Sequence, residues 1–190
     1  DPAMLTGSDA QTNARLLAEA FLEAGPVDTS INAYVIEAGG RTIVVDGGAG
    51  GAFGPTAGMM PAALAAAGID PAAVEVVFAT HLHPDHVGAF ATDGAATLPN
   101  AELVLHPDEH AFWTDETNFA GADDQTRNFR RMALAAIAPY AERMRMAADG
   151  TELAPGVTTM ALSGHTPGHS GLMVASGDAA VLLWGDIVHV

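Results

Sequence analysis

Four side chains able to bind a divalent cation fall within six residues, His81-Leu82-His83-Pro84-Asp85-His86. They follow an apolar, β-branched run over residues 74–80, which reads as a buried strand. Strand side chains alternate between faces, so His81 and His83 share one side; Pro84 suits the first position of a helix that then projects Asp85 and His86. One short segment could therefore serve two cations. Imidazole and carboxylate are borderline to hard donors that suit zinc, manganese, iron or cobalt, and a chain with no cysteine has no thiolate site. Downstream, Ser163-Gly164-His165-Thr166-Pro167-Gly168-His169-Ser170 adds two imidazoles, and an apolar strand ends at Trp184-Gly185-Asp186.

Alternating elements must hold these fragments. Ser8 with Gln11 forms a capping box for a helix whose stripe Leu17, Ala20, Phe21 and Ala24 ends at Gly25-Pro26. Residues 31–37 and 41–46 read as a hairpin, 59–67 as a short helix, 74–80 as a strand, and His86 onward as a helix start. Residues 102–106 read as a strand, 108–113 as a helix, and 124–146 as a long helical region that Pro139 divides. Strands follow at 158–162, 172–175 and 180–184, the last two joined by Ser176-Gly177-Asp178. The acidic stretch 115–124 is the best candidate for a mobile loop near the site. Helices mixed with strands point to a layered α/β sandwich that carries its ligands on loops at one sheet edge. His106 and His110 read as surface or hydrogen-bonded histidines, and His169 as a support for ligands rather than a ligand.

The two ligand fragments, in this order and spacing, resemble those of the metallo-β-lactamase-fold hydrolases, with a match over almost the whole chain. The resemblance implies an αβ/βα sandwich in one domain over residues 1–190 and two divalent metal ions, zinc foremost. It implies that His81, His83 and His165 bind one ion and that Asp85 and His86 bind the other, with Asp186 bridging both beside a shared hydroxide. Asp46, after the strand 42–45, would hydrogen-bond the ligand loop. Within the superfamily the branch of N-acyl-homoserine-lactone lactonases and methyl-parathion-hydrolase-like phosphotriesterases looks most similar, on Thr29-Ser30-Ile31-Asn32-Ala33-Tyr34, Phe53-Gly54-Pro55-Thr56 and His110-Ala111-Phe112-Trp113. Phe53, Trp113 and Phe129 stand where that branch crowds its pocket mouth with aromatics; ordinary core packing is the alternative for each.

The implied reaction is attack by the shared hydroxide on a lactone, ester or phosphotriester, because coordination brings the pKa of water from about 15.7 to roughly 7. Asp85 could relay a proton. The lactonases have a tyrosine three residues after the bridging aspartate; here His189 stands there, either as a donor to the leaving alkoxide or as a plain strand-end histidine. Family members supply a further histidine well beyond that aspartate, whereas this chain ends four residues later. It is therefore expected to be the N-terminal two-thirds of a domain, incomplete at the C-terminus, or to be completed by a second copy as a homodimer or by a further chain segment. A glyoxalase II-type thioester hydrolase and a non-catalytic metal-binding fragment are the alternative readings.

Charge and composition exclude other classes. A net charge of −16, with seven arginines and no lysine, repels phosphate backbones and argues against nucleic-acid partners. Without lysine there is neither a Walker loop nor a Schiff base. No apolar run reaches the length of about 18 residues that a membrane span needs, and the first residues lack signal-peptide character. Asp1-Pro2-Ala3-Met4 looks like the interior of a longer protein, so the compartment stays open. The glycines after residue 46 place Phe53 where a dinucleotide fingerprint needs glycine, and Gly168-His169-Ser170-Gly171-Leu172 misses a nucleophile elbow at its last residue. The expected partner is a small-molecule substrate.

Overall fold

The computed structural model describes residues 7–25, 29–54 and 56–188. Its contacts divide the chain into a unit ending at Ser30 and a main unit, Ile31–His189. In the first, α1 (Ala10–Glu19) is opened by Asp9, whose side chain accepts from the Thr12 amide, instead of by the expected pairing of Ser8 with Gln11. The helix also stops a turn before the expected Gly25. Phe21 turns left-handed, with φ 61°, and the Phe21 and Leu22 amides fold back to the carbonyls of Ala18 and Leu17, a closure that ends helical hydrogen bonding.

The main unit begins with the antiparallel hairpin β1 (Tyr34–Ala38) and β2 (Arg41–Val45). Helix α2 (Met60–Ala66) then leads to β3 (Val76–Phe78). The single-turn helix α3 (Pro84–Val87) follows, and it does not continue beyond His86 as expected. Gly88 follows it at a position only glycine fits, since a Cβ there would lie 2.3 Å from the Ala49 carbonyl oxygen and 2.5 Å from that of Pro84. Two short strands, β4 (Ala91–Thr92) and β5 (Ala95–Ala96), turn through Asp93-Gly94, both at positive φ. Then come β6 (Glu102–Leu105), α4 (Pro107–Thr114) and α5 (Asp124–Ile137).

The expected helix over 124–146 ends at Ile137. Residues Ala138–Arg143 form a 3-10 turn, and β7 (Met144–Met146) is a strand. The parallel sheet supplies the reason, because β6 offers a free edge to which Met144, Arg145 and Met146 pair in register with Leu103, Val104 and Leu105. The chain then builds β8 (Glu152–Ala154), β9 (Val157–Ala161), β10 (Ser170–Ser176) and β11 (Ala179–Leu183).

These strands form a five-stranded sheet ordered β1-β2-β3-β6-β7, parallel from β2 onward, and a four-stranded antiparallel sheet ordered β11-β10-β9-β8. Period-two alternation splits the first sheet's side chains between two cores. Val44, Val77, Leu103 and Leu105 face a cluster with Ala133, Ala136, Ile137 and Tyr140. Ile43, Val45, Val76, Phe78 and Val104 face Leu153, Val157 and Leu172 of the other sheet. Helix against sheet against sheet is the mixed α/β layering expected from the sequence. Among the described residues no helix is long and apolar enough to cross a membrane.

Candidate metal centre

The candidate ligands lie on loops of both sheets. Asp46 follows β2, residues Thr80 to His86 follow β3, His165 and His169 lie on the loop before β10, and Asp186 follows β11. β2 and β3 are parallel and end on one side, so their loops, distant in sequence, meet there. The turn after β2 is held by the Asp46 amide on the Phe78 carbonyl and the Gly47 amide on the His86 carbonyl. Asp46 itself is left-handed at φ 55°, a conformation that aspartate tolerates better than most residues.

Two groups of possible ligand atoms form, His81 with His83 and His165, and His81 with His86 and Asp186. In the first, His81 Nε2 lies 3.0 Å from His83 Nδ1, which lies 2.9 Å from His165 Nε2. In the second, one Asp186 oxygen is 3.2 Å from His86 Nε2, while the other is 3.6 Å from His165 Nε2. That carboxylate therefore sits between the two sets of imidazoles. Asp85 falls outside both groups, at the rim, with one carboxylate oxygen 3.8 Å from His86 Nε2.

Hydrogen bonds decide which ring nitrogens face inward. Asp46 accepts from the Thr80 amide at 2.8 Å and the Thr80 hydroxyl at 2.9 Å, and its Oδ2 lies 2.8 Å from His86 Nδ1. A hydroxyl that donates to Asp46 is left to accept, and His81 Nδ1 lies 3.1 Å from it. His81 thus carries its proton on Nδ1 and turns its Nε2 lone pair toward the centre, while His86 gives its Nδ1 proton to Asp46 and directs Nε2 toward Asp186. His169 follows the same logic. Its Nε2 accepts from the Asp186 amide at 3.0 Å, so its Nδ1 carries the proton that goes to the Leu162 carbonyl at 3.1 Å. It thereby ties the loop before β10 to the loop after β11.

Electrostatics divides the histidines. Burial, then the neighbouring His86 and His83, push His81 well below the usual imidazole range. Burial, then His165, push His83 down to about 4. Burial also lowers His169. His86 goes the other way: burial opposes its charge, but Asp186 and Asp46 outweigh burial and carry it up to about 10. The site thus favours neutral rings on one side and positive charge on the other. Imidazole nitrogens crowded at 2.9–3.0 Å beside the half-buried Asp186 carboxylate form a donor set that fits a divalent cation.

The remaining expectations spread out. Trp113 is 2% exposed, its indole N–H on Glu109 and its ring among Phe112 and Phe119, so it packs into the core beneath His83, 5.5 Å away, instead of standing at a pocket mouth. Phe129 is half-buried, 6.4 Å from the His83 ring, and Phe53 is exposed. His189 lies outside the described residues. His106 is hydrogen-bonded, capping α4 by accepting from the Asp108 amide. The 115–124 stretch contains a 3-10 turn, Glu116–Phe119, capped by Asp115 and anchored by buried Phe119.

Sequence reasoning missed Glu109, which is fully buried and bonded to both ligand loops. An acidic residue in the first turn of a helix reads as ordinary, and nothing in its spacing marks it.

The model of the Metallo-beta-lactamase superfamily matches residues 26–190. An N-acyl homoserine lactonase AttM from Azorhizobium caulinodans is 32% identical over 124 residues, 62% of this chain and 42% of that protein. The AttM of Agrobacterium fabrum is 31% identical over the same shares. The chain thus spans about 42% of the length of these curated relatives. Among solved structures, the hydrolase AbOPH of the beta lactamase superfamily superposes with a TM-score of 0.90 at 31% identity, over 99% of this chain and 67% of that one. The dizinc quorum-quenching lactonase AidC gives 0.83 at 20% identity, over 92% of this chain and 62% of its own, a likeness of fold alone.

Proposed function

This chain belongs to the metallo-beta-lactamase superfamily, and from that premise we propose that it is a metal-dependent hydrolase with two cation positions, acting on a lactone, ester or phosphotriester. The observation that carries the reading is the placement of Asp186, one oxygen toward His86 and the other toward His165. His81, His83 and His165 would hold one cation, and His86 and Asp186 the other, with Asp85 at its rim. Two divalent cations, zinc foremost, would supply an activated water and stabilise the charge that develops on the substrate oxygen.

The chain's own residues do the rest. Asp46 and Thr80 keep the His81 and His86 protons on Nδ1. The Asp85 carboxylate, with a side chain 35% exposed, is placed to take up a proton from the reacting centre. Phe129 supplies an apolar wall beside His83, and Phe53 stays a candidate for the outer approach. The relatives named as N-acyl homoserine lactonases support the lactone class. The test is metal analysis of the purified chain, with turnover assays on an acyl-homoserine lactone, an aryl ester and methyl parathion. Two cations per chain with hydrolysis of at least one substrate is the expected result. No bound cation and no turnover after incubation with zinc or manganese would refute the reading.

A further inference from the structure

We propose that Glu109 is a positioning residue, a single buried carboxylate that sets the spacing between the His81–His83 segment and the His165 loop; the proposal rests on reading the site as a cation centre. Glu109 is completely buried on α4. Its Oε1 accepts from the Leu82 amide at 2.8 Å and the Trp113 indole N–H at 2.7 Å. Its Oε2 accepts from the Thr166 hydroxyl at 2.6 Å and the Gly168 amide at 3.1 Å. All four partners donate, so the cage suits a carboxylate, which accepts only.

Those partners are placed where they matter. Leu82 lies between His81 and His83, Thr166 follows His165, and Gly168 precedes His169. Sliding either loop against the other breaks a bond to one oxygen of the same rigid group. The loop before β10 also presses directly on α4, since a Cβ on Gly168 would come within 2.0 Å of the Glu109 backbone nitrogen. Beside this clamp, the Ser170 amide on the Thr80 carbonyl is a second bridge between the same segments. Between them they bring His83 and His165, 82 residues apart in the chain, to 2.9 Å. A buried anion held by dipoles alone is costly. Cations bound just beyond the Leu82 and Thr166 segments would give it a partner of opposite sign.

The test is Glu109→Gln, which keeps the shape but turns an NH2 toward two of the donors. Zinc affinity is read by chelator competition, and ligand geometry by the visible absorption of the cobalt-substituted protein. The expected result is a loss of roughly 10-fold to 100-fold in zinc affinity, with an altered cobalt spectrum, in protein whose circular dichroism is native. Thr166→Val, which removes one donor, gives a smaller loss of the same kind and carries the test if Glu109→Gln does not fold. Tyr140→Phe, which removes a buried hydroxyl bond to the Phe90 carbonyl, lowers stability but leaves affinity and spectrum unchanged. Folded Glu109→Gln and Thr166→Val proteins with unaltered zinc affinity and cobalt spectra would overturn the proposal. If the unsubstituted chain binds neither metal, the cation-centre reading fails, and the proposal with it.

Discussion

Replacing Asp46 by Asn should cost the site holding His86 most of its affinity for a cation while leaving the backbone in place. Asparagine tolerates the left-handed φ of 55° at this position about as well as aspartate, so the substitution isolates the carboxylate. Asp46 serves three donors, the Thr80 amide, the Thr80 hydroxyl and the His86 ring. The amide of Asn offers one oxygen and one NH2, and either orientation sets the NH2 against an N–H donor. If it meets His86, the neutral ring that would bind a cation must accept through Nδ1 and keep its proton on Nε2, the atom that faces Asp186. A proton on that atom blocks coordination. If it meets the Thr80 amide, a buried donor is orphaned, which costs about 1–3 kcal/mol. Disturbing a partner that orients a ligand typically weakens metal binding by about 10-fold to 100-fold. The expected outcome is therefore one tightly bound zinc in place of two, measured by competition against a chromogenic chelator, together with a stability loss of about 1–3 kcal/mol in urea titrations of the metal-free protein. Two zinc ions bound as tightly as before would refute the assignment of Asp46 as the group that fixes the His86 tautomer.

Gly185→Ala should destabilise the chain, because its Cβ would lie 2.5 Å from His169 Nε2 on a backbone at φ 59°. His169 cannot swing away without losing both ring bonds, so overpacking adds about 1–3 kcal/mol to a left-handed penalty of about 1–2 kcal/mol; a urea midpoint close to that of the unsubstituted chain would count against this packing. The metal-free protein should draw opposite pH dependences from its histidines. His83, lowered to about 4 from 6.5, contributes stability that is full above 6.5 and lost as pH falls toward 4, and lowered His81 acts in the same sense. His86, raised to about 10, contributes stability that is full below 6.5 and lost as pH climbs toward 10. These groups together place the optimum near 6.5, and His86→Gln should flatten the alkaline arm; an unchanged alkaline arm in that variant would contradict the His86 shift.

Much of the candidate centre was legible in local spacing. The segment from β3 into α3 carries His81, His83 and His86 within six residues, and the loop from Ser163 to Ser170 carries His165 with His169 behind it. Five of the six proposed ligands gather in the two groups of donor atoms. Asp85 does not join them, because the single turn of α3 leaves it at the rim. The 144–146 stretch was misread because Met-Arg-Met suits an amphipathic helix as well as an edge strand. The available edge of β6 decided between them.

The sequence by itself determined which chemistry was on offer, since imidazoles and carboxylates at these intervals suit little besides divalent cations. Tertiary structure decided what each one does. His81 and His86 belong to one six-residue motif yet shift in opposite directions, because Asp46 and Asp186, 40 and 100 positions from His86, place two carboxylates against one ring and none directly on the other. Trp113 went to the core and Glu109 became a four-bond clamp for the same reason. Periodicity reports neighbours within a turn or a strand, whereas desolvation and hydrogen bonding depend on groups that only folding brings within about 3 Å.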